Sequence, residues 1–284
     1  MPETKDLRLV YTFGSVRYDF TVRTYLMGVL NVTPDSFSDG GKFVTTESAV
    51  KRGMQMVEEG ADFIDVGGES TRPGSEPVPV AEEIRRIVPV IEQLEKLTPI
   101  PISVDTYKSE VAKAAIEAGA LIVNDISAMT FDPEMLPLVA REKVSAVLMH
   151  MKGTPKTMQQ NPEYDHVVRE VGEYLQGRAE QCRVAGIDQV LIDPGIGFGK
   201  NLQHNLALIK HLSVFRSYGF PLLVGPSRKS FLGMLLDLPV DQRLEGTAAA
   251  VTACVLHGAS VVRVHDVRAM KRVLTVADAL YHSA

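Results

Sequence analysis

"YLMGVLNVTPDSFSDGG", residues 25–41, starts as an unbroken apolar run and turns abruptly polar at Asn31. A strand that is apolar at every position, not at alternate ones, is buried on both faces, which is the signature of a parallel sheet covered by helices. The same pattern recurs at "FIDVGG" from Phe63, "PISVDT" from Pro101, "LIVNDI" from Leu121 and "SAVLMHM" from Ser145. It recurs again at "VLIDPG" from Val190, "PLLVGPS" from Pro221 and "SVVRVHDV" from Ser260. Between these runs lie amphipathic stretches such as "TESAVKRGMQMVEEG" and "PVAEEIRRIVPVIEQL", with apolar residues three and four apart. Gly60, Gly119, Gly186 and Gly258 each stand where a helix should end in a left-handed cap before the next strand.

Eight strand–helix units within residues 25–284 predict a closed (β/α)8 TIM barrel, an α/β fold, over an open doubly wound sheet. Residues 7–24 alternate as a β-hairpin does, "RLVYTFGSVRYDFTV" with Gly14 and Ser15 at the turn, and are expected to close the bottom of the barrel. Without a linker, a repeat or a low-complexity tract, residues 1–284 read as one domain.

Composition narrows the partners. The chain has 284 residues, 45% of them hydrophobic, and carries 30 basic against 35 acidic side chains, a net charge of -5. It has no basic block to track a phosphate backbone, so nucleic acid is not expected as a partner. The two cysteines, Cys182 and Cys254, suggest neither a disulfide framework nor a thiolate zinc site. With no leader-like N-terminus and no apolar run of membrane-spanning length, the expectation is a cytoplasmic protein without a membrane partner.

In a barrel of this kind the C-terminal strand ends converge on one mouth, and functional residues collect there. The polar residues at those ends are Asn31, Asp65, Asp105, Asn124, His150, Asp193, Ser227, Arg228, Lys229, Arg263 and His265. Carboxylates and an amide facing a lysine and an arginine predict a mouth with a negative half and a positive half. Each residue also has a plainer use. Asp105 suits a helix cap, Asp193 before Pro194 suits a turn, and Asn124 can tie down strand ends. Other motifs fail. In "DPGIGFGKN" the first glycine of a phosphate-binding loop falls on Pro194, and Asn201 stands where Ser or Thr should hold magnesium. The serines of "GPSRKSF" lack nucleophile-elbow spacing, and no paired-histidine zinc motif occurs.

Six segments, "GVLNVTPDSFSDGG", "GADFIDVGGESTRPGS", "VNDIS", "LIDPGIGFGK", "GPSRKSFLG" and "GTAAAVTACVLHGASVVRVHDV", together resemble the dihydropteroate synthase family of the folate pathway, in order from about residue 25 to 280. The resemblance implies a transferase that joins 6-hydroxymethyl-7,8-dihydropterin diphosphate to 4-aminobenzoate, releases diphosphate and is inhibited by sulfonamides competing with aminobenzoate. It implies Asp105, Asn124 and Asp193 at the pterin edge with Lys229 on the ring's carbonyl side, and Arg263 with His265 at the diphosphate. It implies Mg2+ at Asn31, a homodimer, and a first loop holding Asp35 and Phe37 that closes over the substrates. By the same resemblance, Phe37 and Pro73 meet the aminobenzoate ring, Ser230 its carboxylate, Thr71 the pterin and Arg72 the diphosphate. Met149, Phe198 and Val264 complete the substrate-binding set, and Asp35, Arg72, Asp105 and Lys229 are the implied catalytic residues.

Chemistry agrees with that reading, since a pterin presents amino and ring N–H donors that need buried acceptors. Loss of diphosphate from the pterin methylene builds positive charge that carboxylates stabilise. Two rivals compete with it: a pterin-binding methyltransferase domain that serves a corrinoid protein, and a silent barrel that only senses a pterin. Arg72, the "SRKS" of residues 227–230 and the "RVH" of residues 263–265 disfavour the first, which has no diphosphate to hold. Retention of Asn31, Lys229 and the Arg–His pair disfavours the second.

Overall fold

The computed structural model describes residues 9–33, 46–72 and 74–283. The hairpin pairs β1 (Val10–Phe13) with β2 (Val16–Asp19), antiparallel, Phe13 opposite Val16. A two-residue turn this tight needs a left-handed residue, and Gly14 supplies it at φ +59.

The barrel strands are β3 (Tyr25–Asn31), β4 (Phe63–Gly67), β5 (Ile102–Asp105), β6 (Ile122–Asp125), β7 (Ser145–Met149), β8 (Val190–Asp193), β9 (Leu223–Val224) and β10 (Val261–Val264). They pair in the order β8-β7-β6-β5-β4-β3-β10-β9, all parallel, and a bridge from Ile192 to Leu222 joins the two ends into a barrel. Helices α1 (Thr46–Glu58), α2 (Val80–Leu97), α3 (Ser109–Glu117), α4 (Met135–Glu142) and α5 (Val167–Val184) fill the first crossovers. The last ones carry α6 (Leu202–Lys210), α7 (Ser213–Arg216), α8 (Ser230–Leu236), α9 (Leu244–Leu256) and α10 (Val267–Tyr281). The expected one-helix units thus become helix pairs before β9 and before β10. Gly60, Gly119, Gly186 and Gly258 all take positive φ, as the predicted caps require.

Strand periodicity explains how this scaffold makes a site. Outward residues such as Leu30, Ile64, Val104, Leu148 and Val264 enter the apolar layer beneath the helices. Inward residues change character with height. At the bottom they are Met27, Phe63, Ile122, Val147, Leu191 and Val261, packed in one cluster with Tyr11, Phe13, Tyr18 and Phe20 of the hairpin segment. Two residues further along β4, β6, β7, β8 and β10, on the same faces, stand Asp65, Asn124, Met149, Asp193 and Arg263.

The hairpin therefore closes the lower end with aromatic side chains, as anticipated. Phe13 meets Phe63 edge-on with ring centroids 5.4 Å apart, and Tyr18 lies 4.6 Å from the same ring. The two tyrosine hydroxyls keep polar partners: Tyr11 donates to the Val190 carbonyl and Tyr18 to the Asp62 carbonyl, each at 3.0 Å. Because Phe63 is fully buried in this plug, Phe63→Ala should lower unfolding free energy by about 3–5 kcal/mol. Urea denaturation measures this, and a loss below about 1 kcal/mol would show that the hairpin does not pack as described.

Candidate active site

Above the aromatic plug the inward side chains surround a cleft of about 360 Å3, part of it open to solvent. Its walls include Thr71, Asp105, Asn124, Met149, Asp193, Phe198, Lys229 and Arg263. Eight of the predicted site residues thus meet at one cavity.

The expected separation into negative and positive halves does not hold. Arg263 reaches across the barrel axis, donating from Nε to Asp65 Oδ2 and from a terminal nitrogen to Asp105 Oδ2, both at 2.6 Å. Asn124 Nδ2 donates to the same Asp65 oxygen at 3.0 Å, which turns the Asn124 amide oxygen away as an acceptor. The cation stands among the acids because Asp65, buried beneath the cleft, needs a counter-charge. Three buried oxygens have no hydrogen-bond partner among the described residues: Asp65 Oδ1, Ser103 Oγ and Asp105 Oδ1. Buried acceptors are normally satisfied. Asp105 itself lines the cleft.

Burial sets the ionisation of the rim. It pushes the Asp105 carboxyl up to about 7, against the opposing pull of Arg263. It pushes Asp193 up to about 6, partly offset by the Gly195 N–H, which donates to Asp193 Oδ1 at 2.7 Å, and by Lys229. Burial and the Arg263 charge bring Lys229 down to about 8, and its ammonium sits 4.0 Å from the centre of the Phe198 ring. Burial alone would lower Arg263, but Asp65 and Asp105 outweigh it and keep the guanidinium charged.

The remaining predicted residues take other places. His265 lies beside Ser227, its Nδ1 3.0 Å from the hydroxyl, and burial with the nearby Arg263 pushes its pKa down to about 3. It is a neutral ring at neutral pH, so it can offer an N–H but no charge beside Arg263. Val264 faces the outer apolar layer, Ser230 is exposed at the start of α8, and Arg72 is exposed on the loop after β4. Asn31, half-buried, ends β3. A Cβ built on Gly67 would lie 3.8 Å from Asp105 Oδ2 and 3.9 Å from Asn31 Oδ1, so both oxygens border one small space that the glycine leaves open. Among the described residues no group of three or more His, Cys, Asp or Glu side chains can hold a metal ion. Two oxygens of this kind suit only a hard cation that keeps waters and takes further oxygens from a phosphorylated substrate. Asp35, Phe37 and Pro73 lie outside the described residues.

Residues 27–265 match the family described as pterin binding enzyme. A dihydropteroate synthase of Synechocystis is 46% identical over 271 residues, covering 94% of each chain. This chain belongs to the dihydropteroate synthase family of pterin-binding enzymes. A structure of the Xanthomonas albilineans dihydropteroate synthase with 4-aminobenzoic acid is 45% identical, with a TM-score of 0.91, covering 98% of this chain and 100% of that one. The Yersinia pestis dihydropteroate synthase with a sulfonamide drug complex is 41% identical, also with a TM-score of 0.91, covering 96% and 100%.

Sequence reasoning placed Asp65 at the mouth without giving it a role, and it missed Lys200. That lysine is fully buried, donating to the Phe198 carbonyl at 2.9 Å and the His150 carbonyl at 3.2 Å, with His150 Nδ1 at 3.0 Å. Burial brings Lys200 down to about 7, and burial with the Lys200 charge takes His150 down to about 3, so His150 is neutral and supports the loop beside the cleft. The dihydropteroate synthase motif "GFGK" contains Lys200, but as a failed phosphate loop it gave no reason to expect a buried cation.

The raised acids make stability depend on pH. Between the unfolded carboxyl value of 3.8 and the folded value of about 6, the folded chain retains a proton on Asp193 that the unfolded chain has lost. This contribution is fully present below about pH 4 and is lost as pH rises through about 6. Relative to wild type, Asp193→Asn should therefore gain roughly 1 kcal/mol of stability between pH 5 and 7.5. Parallel urea titrations at the two values check this. A difference that stays constant or shrinks contradicts the ionisation assigned to Asp193.

Proposed function

We propose that the chain condenses 6-hydroxymethyl-7,8-dihydropterin diphosphate with 4-aminobenzoate to give 7,8-dihydropteroate and diphosphate. The observation that carries this is that Asp105, whose Oδ1 has no hydrogen-bond partner among the described residues, lines one cleft with Asn124, Asp193 and Lys229. A flat heterocycle with amino and N–H donors on one edge and a carbonyl on the other satisfies this set. The family and the relatives' activity support the same substrate pair.

In this reading the pterin donors bind Asp105, Asn124 and Asp193, its carbonyl faces Lys229, and Thr71, Met149 and Phe198 flank the ring. The methylene C–O bond breaks and its electron pair leaves with diphosphate. The ionised carboxylates stabilise the cation left on the pterin. The neutral aniline nitrogen of aminobenzoate then forms the C–N bond and loses a proton to water. Rate comes from placement and electrostatics, so no residue is needed as an obligatory base. Arg72 and Arg263 supply positive charge to the diphosphate, with His265 and the Val264 main chain beside it. Asp35 assists on the first loop, while Phe37, Pro73 and Ser230 receive the aminobenzoate. Mg2+, held by Asn31 and diphosphate oxygens, would supply further charge for the leaving group. We also assign a cytoplasmic homodimer, supported by two buried free thiols and by exposed apolar residues Met234, Leu235 and Leu236 on α8. Among the described residues, no helix is long and apolar enough to cross a membrane.

Diphosphate release, followed with both substrates and with each omitted, should require both. Release without aminobenzoate at the full rate would overturn the condensation. Lys229→Ala should weaken pterin binding and lower kcat/KM by about 100-fold, and Arg72→Ala should act mainly on the diphosphate-bearing substrate, by about tenfold. Wild-type kinetics in both variants would remove these roles.

A further inference from the structure

The loop after β4 carries Thr71 and Arg72 to the mouth, and an ionic cluster outside the cleft wall ties its two ends together. Lys108, just before α3, donates to Glu69 Oε2, to Glu83 Oε2 and to the Val78 carbonyl, each at 2.6 Å. Glu69 also accepts from the Val78 N–H and from the Tyr107 hydroxyl, each at 2.7 Å. Glu69 opens the loop and Val78 closes it, so one carboxylate and one ammonium hold both ends. Glu83 fixes the same ammonium to α2. Glu69 and Glu83 are buried, and the Lys108 side chain is only 15% exposed.

Buried ion pairs of this sort add little stability over well-packed apolar residues of equal volume. Apolar packing cannot, however, hydrogen-bond the carbonyl and N–H of a loop end. None of the clasp residues lines the cleft. We infer that Lys108 is a positioning residue, fixing the loop of residues 69–78 through Glu69, Glu83 and Val78 so that Thr71 and Arg72 face the reacting groups. This inference rests on the condensation proposed above.

The test pairs Lys108→Met with the double variant Lys108→Met/Glu83→Met, in the full chain. The double variant leaves no unpaired buried acid at position 83 and lets Glu69 keep the Tyr107 and Val78 donors. It remains informative if the single variant fails to fold. A positioning role predicts that affinity for 6-hydroxymethylpterin, which lacks the diphosphate, falls only by the share that Thr71 contributes, by no more than about tenfold. It also predicts that kcat falls by about tenfold or more and KM for 4-aminobenzoate rises by about fivefold. Unchanged kcat and KM in the double variant would overturn the inference. So would loss of pterin binding in it, because the clasp would then be holding the barrel and not the loop. A wild-type chain without turnover would defeat the proposed reaction and the clasp with it, whereas wild-type turnover matched by the double variant would defeat the clasp alone.

Discussion

The Arg263 guanidinium, held between Asp65 and Asp105, is the interaction on which the candidate site depends. In the barrel order β10 is separated from β4 by β3 and from β5 by β3 and β4, so only the inside of a closed barrel lets one side chain bridge all three. An isolated carboxylate at the depth of Asp65 would be very costly, and Arg263 offsets that cost through paired charge-assisted bonds. Asn124, oriented by the same Asp65 oxygen, is fixed as an acceptor. One buried ion pair thereby sets the direction of two further groups, Asp105 and Asn124.

The aromatic plug and the polar mouth are two levels of the same inward faces. Phe63 and Asp65 are two residues apart on β4, as Val261 and Arg263 are on β10, and strand periodicity gives each pair one direction. The lower level supplies apolar burial, and the upper level spends some of the resulting stability on acids whose pKa values are raised and a lysine whose pKa is lowered to about 8. Such pairs of shifted groups mark sites built for a ligand and not for stability alone.

The fold was legible because the strands are apolar at successive positions and because α1, α3, α5 and α9 each stop just before a glycine that takes positive φ. The membership of the cleft was legible because polar residues interrupt that pattern only at strand ends, so Asp105, Asn124, Asp193, Lys229 and Arg263 could be gathered from their place in the repeat. Pairings were not legible. Arg263 is 198 residues from Asp65, and nothing local at either position distinguishes a salt bridge across the barrel interior from a contact to diphosphate. The charge state of His265 was not legible either: burial near Arg263 and Arg228 makes it neutral. Lys108 and Lys200 escaped notice because a buried lysine is visible only once the surrounding carbonyls and carboxylates are placed.

A crystal structure of the chain with a bound pterin decides whether the groups set by the Arg263 bridge hold the substrate. The account predicts the ring between Met149 and Lys229, its donors within about 3 Å of Asp105, Asn124 and Asp193, and its methylene turned toward the loop that carries Thr71 and Arg72. A pterin seated outside the barrel mouth, or in the mouth with Asp105 and Asp193 making no contact to it, would contradict the account.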